Sequence, residues 1–189
     1  MNLWFRLIAY LATMWRRGPL VPPHGVSDLG FRVWPSDLDI FGHMNNGRYA
    51  TIMDYGRLDI MLRMGLWKAI RNNRWLPVVS TLSMRFRREM RLWQRFRLTT
   101  RIVVWQDEEV LFEHRLVLVE GHHAGQTAAI AMSKAGIYDR SAKAFVPINR
   151  LMREIGTEAR SPEVTPEFAA IFEAGEALRA IARQDPPAA

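Results

Sequence analysis

The stretch Asp37-Leu38-Asp39-Ile40-Phe41-Gly42-His43-Met44-Asn45-Asn46-Gly47-Arg48-Tyr49 decides the reading of this chain, because two carboxylates and an imidazole crowd a turn that runs into a helix. Asn45 or Asn46 supplies the N-cap, since a short amide side chain accepts from helix N–H groups that lack intrahelical partners. The same N–H groups form a donor site for an oxyanion, so a nearby carboxylate is arranged to attack a polarised carbonyl. From Tyr49 onward, Tyr49, Ile52, Met53, Gly56, Ile60 and Met64 recur at spacings of three and four and give one apolar helix face. Leu58 and Leu62 add apolar surface on another side, which predicts that something wraps this helix. Gly56 costs helix stability and implies close approach of neighbouring backbone.

Downstream the period changes to two. Val78, Ser80, Leu82, Met84 and Phe86 alternate with Val79, Thr81, Ser83, Arg85 and Arg87, as in a half-buried strand. Phe96, Leu98, Thr100, Ile102 and Val104 are expected on one face of the next strand, opposite Arg95, Arg97, Thr99 and Arg101. Further strands are expected near 110–119 and 126–138, separated by the turn Glu120–Gly125. With Phe31–Trp34 as a short first strand, the order is strand, motif loop, long helix, then an antiparallel meander of four strands. This is an α+β arrangement.

The motif and its setting resemble the hotdog-fold acyl-CoA thioesterases of the 4-hydroxybenzoyl-CoA thioesterase-like branch, over roughly residues 28–138. Trp34–Asp39 and His43–Asn46 are also similar to plant acyl-carrier-protein thioesterases. The resemblance implies an antiparallel sheet wrapped around one long central helix. It also implies hydrolysis of an acyl-CoA thioester, with Asp39 as nucleophile or general base. The backbone N–H near Asn46 would hold the oxyanion. His43 matches the histidine of the plant enzymes, but Phe41 stands where they have an asparagine, so a mechanism that needs that amide does not carry over. The aroyl-CoA relatives use a carboxylate without a histidine there, which keeps Asp39 ahead of His43. The candidate set is Asp39, His43 and Asn46 for catalysis, and Asn45, Tyr49, Arg85 and Arg87 for substrate contact.

Plainer roles stand beside these. Asp37 suits backbone hydrogen bonding in a turn, and Asn45 and Asn46 suit capping. His43 fits a loop-ordering hydrogen bond as well as a substrate contact. His114, in line with Phe112 and Leu116, reads as a satisfied core or interface histidine, and His122 and His123 as solvated turn residues. The absence of cysteine and of spaced histidine–carboxylate sets excludes a metal expectation, and no cofactor is expected beyond the CoA carried by the substrate.

The 189 residues, 49% hydrophobic, suffice for one good core. Lack of cysteine agrees with a reducing, cytoplasmic setting. The net charge of +7 suits polyanionic partners such as CoA phosphates, an acidic carrier protein or anionic lipid. Nucleic acid is not expected, because no recognised binding motif accompanies the charge. Arg85, Arg87, Arg88, Arg91, Arg95, Arg97 and Arg101 are read as spanning two adjacent strands and their turn, either as a solvated sheet face or as a phosphate fork.

Residues 1–17 are apolar and aromatic, broken by Arg6 and closed by Arg16-Arg17. They are too short to span a bilayer, which leaves an interfacial helix at the inner membrane face or a helix packed on the domain or its dimer mate. Thr165-Pro166-Glu167 starts a helix through about Ala182, with Phe168, Ile171, Phe172 and Leu178 available to cover the core. The expected organisation is an N-terminal segment 1–25, a thioesterase domain 26–146, and an extension 147–189 with a flexible tail. A homodimer, with a tetramer also open, follows from the resemblance. A non-hydrolytic acyl-CoA or acyl-carrier-protein binding protein at the membrane surface is the alternative function.

Overall fold

An 18-residue helix lying across a curled antiparallel sheet organises the chain. The computed structural model describes residues 2–184, and the expected Asp185–Ala189 tail lies outside them. The order is α1 (Asn2–Met14), β1 (Ser27–Arg32), α2 (Asn46–Arg63), α3 (Leu66–Asn73), β2 (Trp75–Phe86), β3 (Arg95–Gln106), β4 (Glu109–Leu118), β5 (Thr127–Asp139), β6 (Ala144–Phe145), α4 (Ile148–Glu154) and α5 (Pro166–Ala182). The strand order is β1-β3-β4-β5-β2, with β6 added on β5.

The α+β reading holds, with three corrections to the sheet. Strands β3, β4 and β5 form a meander, but β2 pairs with β5 and lies far from β3. Alternation marks a strand and carries no record of its neighbour, so the expected four-strand meander was one pairing too simple. The second correction concerns faces. A bulge between Ile102 and Val104 inserts Val103, so Ile102 packs with the α2 core while Val104 joins Leu111 on the opposite face under α5. Strand β1 also begins earlier than expected and ends before Val33 and Trp34.

Helix α2 buries Tyr49, Ile52, Met53, Gly56 and Ile60, the face expected from its spacing. Against its first half pack Phe96, Leu98, Leu116 and Ala129 from the concave side of the sheet. A Cβ on Gly56 would lie 2.0 Å from Thr100 Oγ1 and 3.1 Å from Leu98 Cδ2. The close approach is therefore by β3 side chains rather than by backbone. What wraps the second side of α2 is α1: Tyr10, Leu7 and Met14 cover Leu58 and Leu62. Tyr10 donates to Asp59 Oδ1 at 2.9 Å, and Arg63 reaches Asp59 Oδ2 at 3.0 Å.

Helices α3 and α4 were not expected. They contribute Leu66, Ala69, Ile70, Ile148, Leu151 and Met152 to a cluster with Trp75 and Trp105 that closes the far end of the core. Helix α5 lies on the outer face of the sheet, where Phe172 meets Val103, Val104 and Leu111. Leu178, expected to help, is 59% exposed, because six residues beyond Phe172 it is turned off that face. Gly175 leaves room for the buried Lys134, whose Nζ lies 3.0 Å from Glu109 and 3.4 Å from Glu176.

The tight contact under α2 makes a direct test. Gly56→Ala is expected to lower the unfolding free energy by about 1–3 kcal/mol, as overpacking does. Thr100→Ala in the same chain should return part of the loss, so the two substitutions should be non-additive in urea denaturation. An unchanged midpoint for Gly56→Ala would show that this contact is slack.

Candidate active site

The motif loop is built around a buried carboxylate. Asp37 ends a single 3-10 turn (Pro35–Asp37) and is 1% exposed. Its Oδ2 accepts from Trp34 N at 2.8 Å and from Arg6 Nη2 at 2.5 Å, and its carbonyl accepts from Asn45 N at 2.8 Å. Asp37 thus ties α1, the loop and the start of α2 together, the structural role expected of it. Arg6, its partner, was not singled out in the sequence. Nothing in a mostly apolar segment marks one arginine as facing inward.

Asp39 occupies the next turn. Its N–H donates to His43 O at 2.9 Å, its Oδ1 accepts from Phe41 N at 2.9 Å, and Gly42, at φ +80°, closes the turn. The other carboxylate oxygen lies 3.1 Å from His43 Nδ1. Asp39 keeps 20% of its side chain exposed and His43 37%, whereas Ile40 and Phe41 between them are 93% and 78% exposed. The structure therefore brings Asp39 and His43 together on a loop whose apolar residues face outward.

Asn45 is the N-cap of α2. Its Oδ1 accepts from Gly47 N at 2.9 Å and its carbonyl from Arg48 N at 2.9 Å. Among the described residues the Asn46 N–H is left without a partner, so of the first helix amides it is the one open to an acceptor. Tyr49 is 2% exposed and packs edge-on against Phe86 at 5.0 Å. Burial, with Glu89 nearby, pushes its hydroxyl up to about 12, which leaves a neutral core phenol.

The arginine group is split by the topology, since β2 and β3 are not neighbours. Arg95 pairs with Glu120, Arg97 with Asp28, Arg101 with Glu113 and Arg91 with Glu89. The three exposed pairs of Arg91, Arg95 and Arg97 contribute about 0–1 kcal/mol each, so the solvated-face reading accounts for them, whereas Glu113 is buried and is held by both Arg101 and Arg115. Arg85 and Arg87 are exposed near the end of β2 and form no ion pair among the described residues.

A cavity of about 540 Å³ lies between α2 and the sheet, walled by residues such as Met61, Leu66, Ile102, Phe112, Ile137 and Leu151. Its polar side is Thr51, Asp54 and Arg57, where Arg57 pairs with Asp54. Behind Arg57 is a buried relay: His114 Nε2 lies 2.8 Å from Ser133 Oγ and 3.2 Å from Arg57 Nη1, and its Nδ1 lies 3.0 Å from Thr100 Oγ1. Burial first, and Arg57 second, hold this imidazole down to about 3, so it is neutral. His114 is the satisfied core histidine expected from the sequence. The chamber itself had no sequence signature, because its lining is drawn from eight separate elements. Asp39, His43 and Asn46 do not line the chamber of their own chain. Among the described residues no cluster of histidines and carboxylates could hold a metal. His123, expected to be solvated, is half-buried, with its ring 5.0 Å from that of the exposed His122.

Residues 33–172 match the thioesterase-like superfamily. The chain belongs to that superfamily. Its sheet curled around α2 is the hotdog fold, shared with the YbaW probable thioesterase of Escherichia coli at a TM-score of 0.61 and 19% identity, covering 68% of this chain and 94% of that one. A DHNA-CoA thioesterase from Staphylococcus aureus is similar at a TM-score of 0.58 and 13% identity, over 83% and 95% of the two chains. In sequence, this thioesterase-like chain is 32% identical over 122 residues to Protein THEM6 of Xenopus laevis, covering 65% of this chain and 56% of that protein. The chain spans about half the length of the curated relatives it matches.

The buried imidazole sets a pH dependence with a definite sign. Folded, His114 stays neutral down to about pH 3, whereas unfolded it takes a proton near 6.5. The unfolded state binds more protons in between, so this contribution is intact above 6.5 and is lost as pH falls from 6.5 toward 3. His114→Gln, which can still hydrogen-bond, is expected to flatten the fall of the urea midpoint over that range. An unchanged slope would assign the fall to other groups.

Proposed function

We propose that this protein hydrolyses an acyl-CoA thioester to the free acid and CoA. The observation that carries the reading is the Asp39 carboxylate, held 3.1 Å from His43 on the loop that leads into α2, in a chain of the thioesterase-like superfamily. Asp39 either attacks the carbonyl carbon directly or takes a proton from an attacking water. The oxygen that becomes negative accepts from the Asn46 N–H at the positive end of α2. Collapse expels the CoA thiolate, and a water supplies the hydroxyl of the acid. His43 orients the carboxylate through its Nδ1. The apolar lining of the chamber suits an alkyl chain, and Arg85 and Arg87, without carboxylate partners among the described residues, suit the CoA phosphates.

The working unit in this reading is a homodimer. Strand β2 is a sheet edge that exposes Leu76, Val79, Leu82 and Phe86, and the motif loop exposes Ile40 and Phe41. Pro77, Val78 and Val79 of β2 also border the chamber. A second copy joined along this edge covers the apolar row and places its motif loop at the chamber mouth. That arrangement accounts for Asp39 lying outside the chamber of its own chain. The same separation also favours a second reading, in which the chamber binds an acyl-CoA or acyl carrier protein without hydrolysing it.

Asp39→Ala is expected to lower thiol release from acyl-CoAs by about 10²–10⁴-fold while leaving circular dichroism and ligand binding intact. Equal hydrolysis by both proteins would remove Asp39 from the chemistry. Saturable binding with no hydrolysis by the wild type would favour the binding-protein reading.

A further inference from the structure

We propose that α1 and the turn that ends it seat this protein on an anionic membrane surface through Trp4, Ile8, Leu11 and Trp15, and so hold the α1 side of the chamber, away from the β2 edge, against the bilayer. Trp4, Ile8 and Leu11 follow one another at spacings of four and three along one side of the helix, Trp15 stands four residues further on in the turn that ends it, and the four are 72%, 61%, 45% and 71% exposed. Phe5 beside them is 64% exposed. The stripe is not waiting for a place on its own domain, because α1 is already docked by its other sides. Tyr10 is buried and donates to Asp59, Arg6 reaches the buried Asp37, and Arg17 donates to Asp28 O at 2.9 Å. What remains outward is large, aromatic at both ends, and continuous.

Chemistry selects the occupant. Indole rings at the two ends of the stripe suit the boundary between headgroups and acyl chains. No acidic residue occurs before Asp28, while Arg16 lies over the exposed Trp15 ring at 5.0 Å and the whole chain carries a net +7. A second copy stacked on this stripe by a two-fold axis would bring Arg16 and Arg17 toward their own equivalents with no acid from the segment to offset them. An anionic lipid surface offsets them directly. The helix lies on the membrane rather than through it: 13 residues reach about 20 Å against a hydrocarbon core of about 30 Å. Among the described residues no helix is long and apolar enough to cross a membrane.

The same helix forms part of the chamber. Trp4 and Leu7 wall it next to Tyr55 and Leu58 of α2. Lipid docking of α1 thereby places an apolar entrance where acyl chains are dissolved. This last step rests on the thioesterase reading, whereas the docking itself does not.

The test uses the full chain and the variant Ile8→Ser/Leu11→Ser/Trp15→Ser, none of whose positions lines the chamber. Vesicles of phosphatidylcholine with phosphatidylglycerol should carry down the wild type. The variant should partition at least about tenfold less, and vesicles of phosphatidylcholine alone should bind the wild type weakly. Hydrolysis of a water-soluble short acyl-CoA should be equal in the two proteins, with the variant slower on a long-chain acyl-CoA dissolved in the anionic vesicles. Wild type left in the supernatant, or variant bound as well as wild type, would overturn the proposal. So would a wild type that forms larger oligomers than the variant in lipid-free solution and ignores vesicles. Binding lost in the variant with no hydrolysis by either protein would uphold the docking and count against the thioesterase reading instead.

Discussion

Pressing a long helix onto the concave side of a sheet fixes most of what this molecule can do, and the contact between Gly56 and Thr100 shows how closely the two are pressed. At the first half of α2 the space is filled by Met44, Met53, Phe96 and Leu98, all almost fully buried. From the middle of the helix onward, α3, α4 and α1 join the sheet in walling a cavity rather than filling it. The result is a solid end that holds the helix start in place and a hollow end large enough for an apolar ligand. A helix with a side chain at position 56 would stand away from β3 and blur both.

Two carboxylates in one short motif are separated by environment. Asp37 is buried and committed to Arg6, Trp34 and the start of α2. Asp39, two residues on, is partly exposed and lies 3.1 Å from His43. Because Arg6 belongs to α1, the N-terminal helix is fastened to the same loop on which the proposed reaction depends. Membrane docking and catalysis, in this reading, share a frame rather than lying in separate parts of the chain.

Helix α2, its cap at Asn45, strands β2 to β5 and α5 were legible because each is long enough for its period to show, whereas the two-residue β6 was not. The wrapping of Leu58 and Leu62 was visible as apolar surface without a stated partner. Helices α3 and α4, of 8 and 7 residues, are too short for a period to register. The place of β2 beside β5 was hidden, since local patterns do not encode strand partners. The bulge at Val103 was hidden for a related reason: one inserted apolar residue in an apolar run leaves no mark. Asp39 and His43 could be named from the motif and are adjacent in space. The chamber is a product of long-range packing and could not be read locally.

The central claim is that the hollow end of α2 receives an alkyl chain whose thioester is cleaved by the motif loop. Thiol release measured against acyl chain length tests it most directly. The account predicts that kcat/KM rises from acetyl-CoA to longer saturated acyl-CoAs until the cavity of about 540 Å³ is filled, and that Ile102→Trp moves the optimum to shorter chains. Equal rates at every length, with no shift in the variant, would contradict it.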